Sequence, residues 1–343
     1  MTEVITSSVF NIEHLNKVTE DGRPIIKLPN SGDTRVLKLN KEDLIVSEPA
    51  TPEKIEEKLK LYGGCIVRNY LLEEDCDQIL KDVSPRLNSF SNSGDASNFI
   101  SPTTRRASGT CLRSRTAAEK MLIHPLNLAV SNRFLGKENV FRIGEEAVTG
   151  FSKAQHNSCI TFSIGPGSKD QPLHRDDYLH HSVRPYREKY TFGTETAVGT
   201  AVALRRTTKA NGATRFIPGS HLWDHYRRPN EEDVFYAELE KGDCFFMLAS
   251  CYHGGSANTT KDEQRIVTFL FMTQGTLRQE ENIFLGTPIE YFKSLSIPAL
   301  AALGLQTSQP FCGWHENEDP IRFLLPEADY EFTQFKDVYM VED

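Results

Sequence analysis

No run of about 18 consecutive apolar residues occurs in this chain, so a membrane-spanning helix is not expected. Blocks of like charge are missing too. Its 39 Lys and Arg against 47 Asp and Glu leave a formal net charge of -8, mild and well mixed. That excludes the basic groove of a nucleic-acid binder and argues slightly against a polyanionic substrate. Seven cysteines (65, 76, 111, 159, 244, 251, 312) contain no CxxC pair. With an odd count and no export signal, they read as reduced, buried, small apolar side chains. The opening Met1 to Ser8 shows no basic region followed by an apolar core, so no secretory signal is expected and a cytoplasmic location is. No internal repeat is visible.

What remains is an ordinary globular composition, 38% hydrophobic and 25% charged over 343 residues, enough for one large domain or two small ones. Residues 1–48 are polar and mixed and read as an extension lying over a single domain, 49–343. A helix is expected from Thr51-Pro52-Glu53, with a capping threonine, a proline at the first helical position and early acids, up to the stop at Gly63-Gly64. Cys65–Leu71 reads as a short strand, Glu73 to about Leu80 as a second helix, and Ala117–Phe134 as a third. Residues 87–115 lack a regular pattern and read as a long loop, either a substrate lid or a flexible connection. From about 154 to 275 the texture becomes short strands (154–164, 196–204, 213–217, 233–239, 243–249, 265–272) punctuated by Gly and Pro turns. That spacing argues for a β-sandwich or barrel. A covering segment, 276–343, carries a helix at about 289–304 and the aromatic stretch Phe311–His315.

The chemistry concentrates in His174-Arg175-Asp176, His253 and Arg265. On extended backbone, residues two apart project from one face, so His174 and Asp176 can share a ligand. His253 would complete two imidazoles and one carboxylate, the facial arrangement that leaves positions open on a non-haem iron. Arg265, opening the apolar strand 266–271, can hold a distal carboxylate through its fixed fork of donors. Together they read as an iron enzyme that uses 2-oxoglutarate. Neighbouring groups compete for these roles. Asp177 should point to the opposite face. His180 and His181 fall in a loop or short helix and could line a substrate pocket. Cys251 is more simply a packing residue than a thiolate ligand, His221 and His225 are structural, and His156 is a buried neutral imidazole.

Five stretches in order then resemble the phytanoyl-CoA dioxygenase-like family of Fe(II)/2-oxoglutarate oxygenases, in particular its fungal natural-product branch. They are Tyr62-Gly-Gly-Cys-Ile-Val-Arg-Asn-Tyr-Leu71, His174-x-Asp176, Asn211-Gly-Ala-Thr-Arg-Phe-Ile-Pro-Gly-Ser-His221, Lys241-Gly-Asp243, and His253-Gly-Gly-Ser-Ala-Asn258 running on to Arg265. The resemblance covers roughly residues 50–275. It implies a mainly β protein with flanking helices and a double-stranded β-helix (jelly-roll, cupin-like) core. It also implies His174, Asp176 and His253 as iron ligands and Arg265 on the C5 carboxylate of 2-oxoglutarate, with Gln171 and Thr208 (or Thr207) as further cofactor contacts. Leu204-Arg205-Arg206 departs from the family pattern, where relatives commonly carry an acidic residue.

The expected activity is O2-dependent oxidation of a small, largely apolar secondary metabolite by hydroxylation, desaturation or ring rearrangement, with release of succinate and CO2. Asp176 disfavours halogenation, because it fills the position a halide would need. Alternatives are an acyl-CoA hydroxylase, for which Arg105, Arg106, Arg113 and Arg115 could serve as contacts, or a zinc-binding or non-catalytic cupin-like protein. Pocket candidates are residues 87–115, Tyr178 to Tyr190 and the tail around Phe311–Trp314. A homodimer in which the tail caps a neighbour's site is a further alternative.

Overall fold

The computed structural model describes residues 36–341 apart from 38 and 90–98. Twelve strands are described: β1 (Gly64–Val67), β2 (Thr104–Ser108), β3 (Lys137–Ile143), β4 (Glu146–Ser152), β5 (Ala154–Ile164), β6 (Ala197–Ala203), β7 (Thr214–Phe216), β8 (Phe235–Ala237), β9 (Cys244–Leu248), β10 (His253–Gly255), β11 (Arg265–Gln274) and β12 (Asp337–Met340). A six-stranded antiparallel sheet runs β1-β9-β6-β11-β5-β2, and a three-stranded sheet β10-β7-β8 lies over part of it. This is the double-stranded β-helix.

The alternation of strand side chains builds two cores from the large sheet. On β9, Phe245 and Met247 face the small sheet, where Ile66, Ala201 and Val267 meet Phe216, Ala237 and Leu239. Cys244, Phe246 and Leu248 turn the other way, into a helical layer that includes Ile55, Leu59, Ile79, Met121, Phe134 and Leu300. The apolar run Cys244–Leu248 is thus buried on both faces. Six of the seven cysteines are buried and all are free thiols.

The first helix, Pro52–Tyr62, starts where expected: Thr51 Oγ1 accepts from Lys54 N, and Gly63 ends it at φ 78°. Other expectations need correction. The second helix continues to Asn88. The loop expected over 87–115 instead carries β2 at the sheet edge and a short helix, Thr110–Arg113, while its residues 90–98 lie outside the described residues. The helix expected from Ala117 to Phe134 breaks. A π-helical turn, Ala117–Leu122, gives way at Pro125, because the preceding His124 is extended (ψ 132°), and Pro125 opens a new helix to Leu135. The helix expected over 289–304 is three short pieces, interrupted at 294–296 before the start at Ile297-Pro298 and kinked at Gly304, φ 86°.

The hairpin β3–β4, joined by β12 from the tail, was not anticipated. Its strands are largely exposed on one side and lack a long apolar run. Residues 44–46, assigned to the extension, are packed into the core: Leu44 and Val46 are buried, and Val46 N donates to Ile66 O. Residues 1–35 lie outside the described residues. Among the described residues no helix is long and apolar enough to cross a membrane.

Candidate metal centre

His174 and His253 exchange backbone hydrogen bonds, each N–H to the other's carbonyl at 2.9 Å. This single antiparallel bridge places both rings on one side, with centroids 4.5 Å apart. The expected strand through His174-Arg175-Asp176 therefore shrinks to one bridge, and Asp176 opens a 3-10 turn to His180. Arg175 stays extended (φ -116°, ψ 141°), so His174 and Asp176 still share a face. Asp176 N donates to Ala249 O at 2.9 Å, anchoring the turn to the loop between β9 and β10.

The ligand atoms of His174, Asp176 and His253 all lie within 4.8 Å of one another. Asp176 Oδ1 is 3.4 Å from His174 Nε2, and Oδ2 is 3.2 Å from His253 Nε2. The far nitrogens are tied back: His174 Nδ1 is 2.8 Å from Pro172 O, and His253 Nδ1 is 3.1 Å from Cys251 O. A carbonyl can only accept, so both Nδ1 atoms carry the proton and both Nε2 lone pairs face the carboxylate. With both rings neutral, two lone pairs and an anion converge on one point, a donor set that suits a cation. Burial raises the Asp176 carboxyl, but His253 and His174 outweigh it and hold the group below the usual carboxylate range. Burial lowers the His253 imidazole, and Asp176 reverses this and leaves it raised.

Arg265 sits at one end of the same cavity, on the first residue of β11. It is fully buried and its only side-chain hydrogen bond among the described residues is a donation to Thr214 Oγ1 at 2.7 Å; Nε has no partner. Burial without a counter-ion pushes the guanidinium below its ordinary pKa. A buried, unpaired cation is costly, which marks the place for an anion that arrives with a ligand. The cavity is about 270 Å³, room for several waters' worth of ligand. Ile160, Phe162, Phe269 and Phe271 give it an apolar wall.

Gln171 also lines the cavity; its Oε1 accepts from Gly255 N at 3.1 Å, which leaves the amide nitrogen as the group to offer. Thr208 does not belong there. It forms a turn in which its Oγ1 accepts from Asn211 N and its own N–H donates to Asn211 Oδ1, and it lines no part of the cavity. Thr207 is buried on a bridge to Leu239 and is equally remote from the lining. The threonine at the site is Thr214, inside the stretch Asn211–His221. Strand register puts it there: Thr214 lies on β7 two residues from Phe216, the partner of His253.

Asp177, Cys251 and His221 fall as expected, whereas His180 does not line the cavity. Asp177 turns away and is clamped by the buried Arg184, which also bridges Glu195. Cys251 Sγ donates to Ile217 O, and burial pushes the thiol up to about 11. His221 Nε2 sits 3.1 Å from Lys60 O, and burial takes its pKa down to about 3. His180 contacts Arg278 O rather than the cavity. From the pocket candidates, Tyr178 and Leu179 line the cavity, as do Ile100, Thr104 and Arg106, whereas Phe311 and Trp314 are exposed and contribute nothing to it. Glu280, Asn157 and Ser158, which sequence reasoning passed over, also line it.

A model of the family described as phytanoyl-CoA dioxygenase (PhyH) matches residues 59–267. A Saccharomyces cerevisiae protein, YJR154W, is 36% identical over 321 residues, covering 88% of this chain and 92% of that one. Dioxygenase himG of Aspergillus japonicus is 36% identical over 280 residues, covering 78% of this chain and 86% of its own. Among solved structures, the non-heme alpha ketoglutarate dependent epimerase SnoN from nogalamycin biosynthesis superposes with a TM-score of 0.52 at 20% identity, covering 70% of this chain and 90% of SnoN; at that identity the likeness speaks for the fold.

Proposed function

Because the chain belongs to the phytanoyl-CoA dioxygenase family, we propose that it is an Fe(II)- and 2-oxoglutarate-dependent dioxygenase that oxidises a small secondary metabolite. The observation that carries this reading is the pairing, in one cavity, of three convergent ligand atoms with a buried arginine that has no counter-ion. A zinc hydrolase would need the three ligands and a water but would have no use for Arg265.

His174, Asp176 and His253 would hold the iron on one face, with Pro172 O and Cys251 O fixing both ring orientations. Arg265, oriented by Thr214, would take the far carboxylate of 2-oxoglutarate. Thr214 pairs with Gly255, two residues from His253, about 7 Å along the strand, a gap that a five-carbon dicarboxylate can bridge. Phe269, Phe271 and Ile160 exclude water from the space beside the ligands. When bound, iron and 2-oxoglutarate supply, with O2, an oxidative decarboxylation to succinate and CO2 whose oxidising power is spent on the substrate. Asp176 would hold the position that a halide would otherwise take, which would favour hydroxylation, desaturation or rearrangement.

The test is an anaerobic titration of metal-free protein with Fe(II) and then 2-oxoglutarate, following the visible metal-to-ligand charge-transfer band. The band should appear in the native protein and be lost in Asp176→Ala. A folded, iron-loaded protein without it would reject the oxygenase reading in favour of a zinc or binding-only site.

A further inference from the structure

The cavity is polarised along β11. At one end, Arg265 pairs in register with Ile164 of β5, which pairs with Thr104 of β2; one step on, Phe162 pairs with Arg106. Six residues further along, about 20 Å, Phe271 pairs with Ser158. There the charge reverses. Ser158 Oγ donates to Glu280 Oε2 at 2.8 Å, and Glu280 N donates to Asn157 Oδ1 at 2.8 Å, so the carboxylate is held in place at the mouth. Among the described residues Glu280 Oε1 has no hydrogen-bond donor, while Tyr178 and Leu179 complete the rim.

A dianionic co-substrate accounts for the cationic end. It does not account for Glu280, which stands beside an apolar wall of Phe269, Phe271 and Ile160 and shares its cavity with the carboxylate of Asp176. We propose that Glu280 is a specificity-determining residue, and that the primary substrate is a compact apolar molecule bearing a basic nitrogen, bound as its ammonium form against Glu280 Oε1. This rests on the oxygenase reading above only for what occupies the other end. Glu280 is exposed on its outer side; partial desolvation raises its carboxyl and Asp176 adds to that, against the opposing Ser158 hydrogen bond and the nearby His180. An incoming cation relieves both effects, whereas a carboxylate-bearing substrate would add a third anion. The apolar wall supplies contact area, and Glu280 selects the charge.

The test uses protein loaded with Ni(II) and 2-oxoglutarate, which binds without turning over, and three probes of one size: benzylamine, benzyl alcohol and benzoate. Calorimetry should show benzylamine bound about tenfold or more tighter than the other two, the preference a charge-assisted hydrogen bond provides. Glu280→Gln should erase that preference. Glu280→Lys should transfer it to benzoate, a gain that loss of folding cannot produce. Equal binding of benzylamine and benzoate, no binding of any probe, or an amine preference that survives in Glu280→Gln overturns the proposal. Failure of Ni(II) or 2-oxoglutarate to bind would instead strike the oxygenase reading, and the probe series on metal-free protein still decides the role of Glu280.

Discussion

The Arg175 guanidinium lies 4.2 Å from the centre of the Tyr252 ring, and these two residues are the immediate chain neighbours of His174, Asp176 and His253. Ligands point to one face and their neighbours to the other, so the stack behind the site fixes the two ligand segments together. Arg175 also donates to Ser220 O at 2.7 Å and Trp223 O at 3.3 Å. The buried arginine thus ties three loops at the back of the metal-facing cluster.

Arg175→Leu is therefore expected to weaken metal affinity by about tenfold, the order found for groups that orient ligands. Competition with a chelator would measure it. Arg175→Lys should not restore the affinity, because an ammonium cannot stack and donate in two directions at once. Native-like affinity in the leucine variant would show that the bridge between His174 and His253 suffices.

Asp176→Ala or His253→Ala should abolish 2-oxoglutarate turnover, with a fall of more than about a hundredfold, since even outer partners of a ligand can account for that much. Metal content after dialysis and succinate production read the two effects separately. Full activity in either variant would contradict the ligand assignment.

Arg265→Leu should raise the 2-oxoglutarate requirement by about thirtyfold, the equivalent of ~2 kcal/mol for a charge-assisted pair. Thermal stability of the cofactor-free protein should not fall, because the substitution removes a buried cation without a counter-ion. Thr214→Val should act in the same direction more weakly, by about fivefold, through loss of the one hydrogen bond that orients the guanidinium. Steady-state titration of 2-oxoglutarate and a melting curve of each variant check both halves.

Acid should destabilise the fold through His156 and His221. Burial lowers their pKa values from 6.5 to about 4 and about 3, so both stay neutral in the folded state well below the pH at which the unfolded chain takes up their protons. The unfolded state then binds more protons, and stability, complete above about pH 6.5, is lost as pH falls toward those folded values. Each imidazole contributes a slope of about 1.4 kcal/mol per pH unit within its window. Urea unfolding across pH 4 to about 7 measures the slope, and His156→Gln should reduce it by one proton's share.

The chain's own pattern determined the large elements and the chemistry. Alternation buried on both faces made Cys244–Leu248 and Arg265–Gln274 central strands, and Thr51, Pro52 and Gly63 fixed both ends of the first helix. The types and order of His174, Asp176, His253 and Arg265 pointed to a metal and a dicarboxylate before any fold was known. Tertiary structure alone decided which threonine meets Arg265, since Thr207, Thr208 and Thr214 are alike as residues and differ only in the strand register that brings Thr214 opposite Gly255. It also decided that Glu280, six residues past the end of β11, returns to hydrogen-bond Ser158 at the mouth. Local periodicity specifies which face a side chain takes. Which distant segments share a cavity depends on how the sheets pair and close, and no window of neighbouring residues contains that.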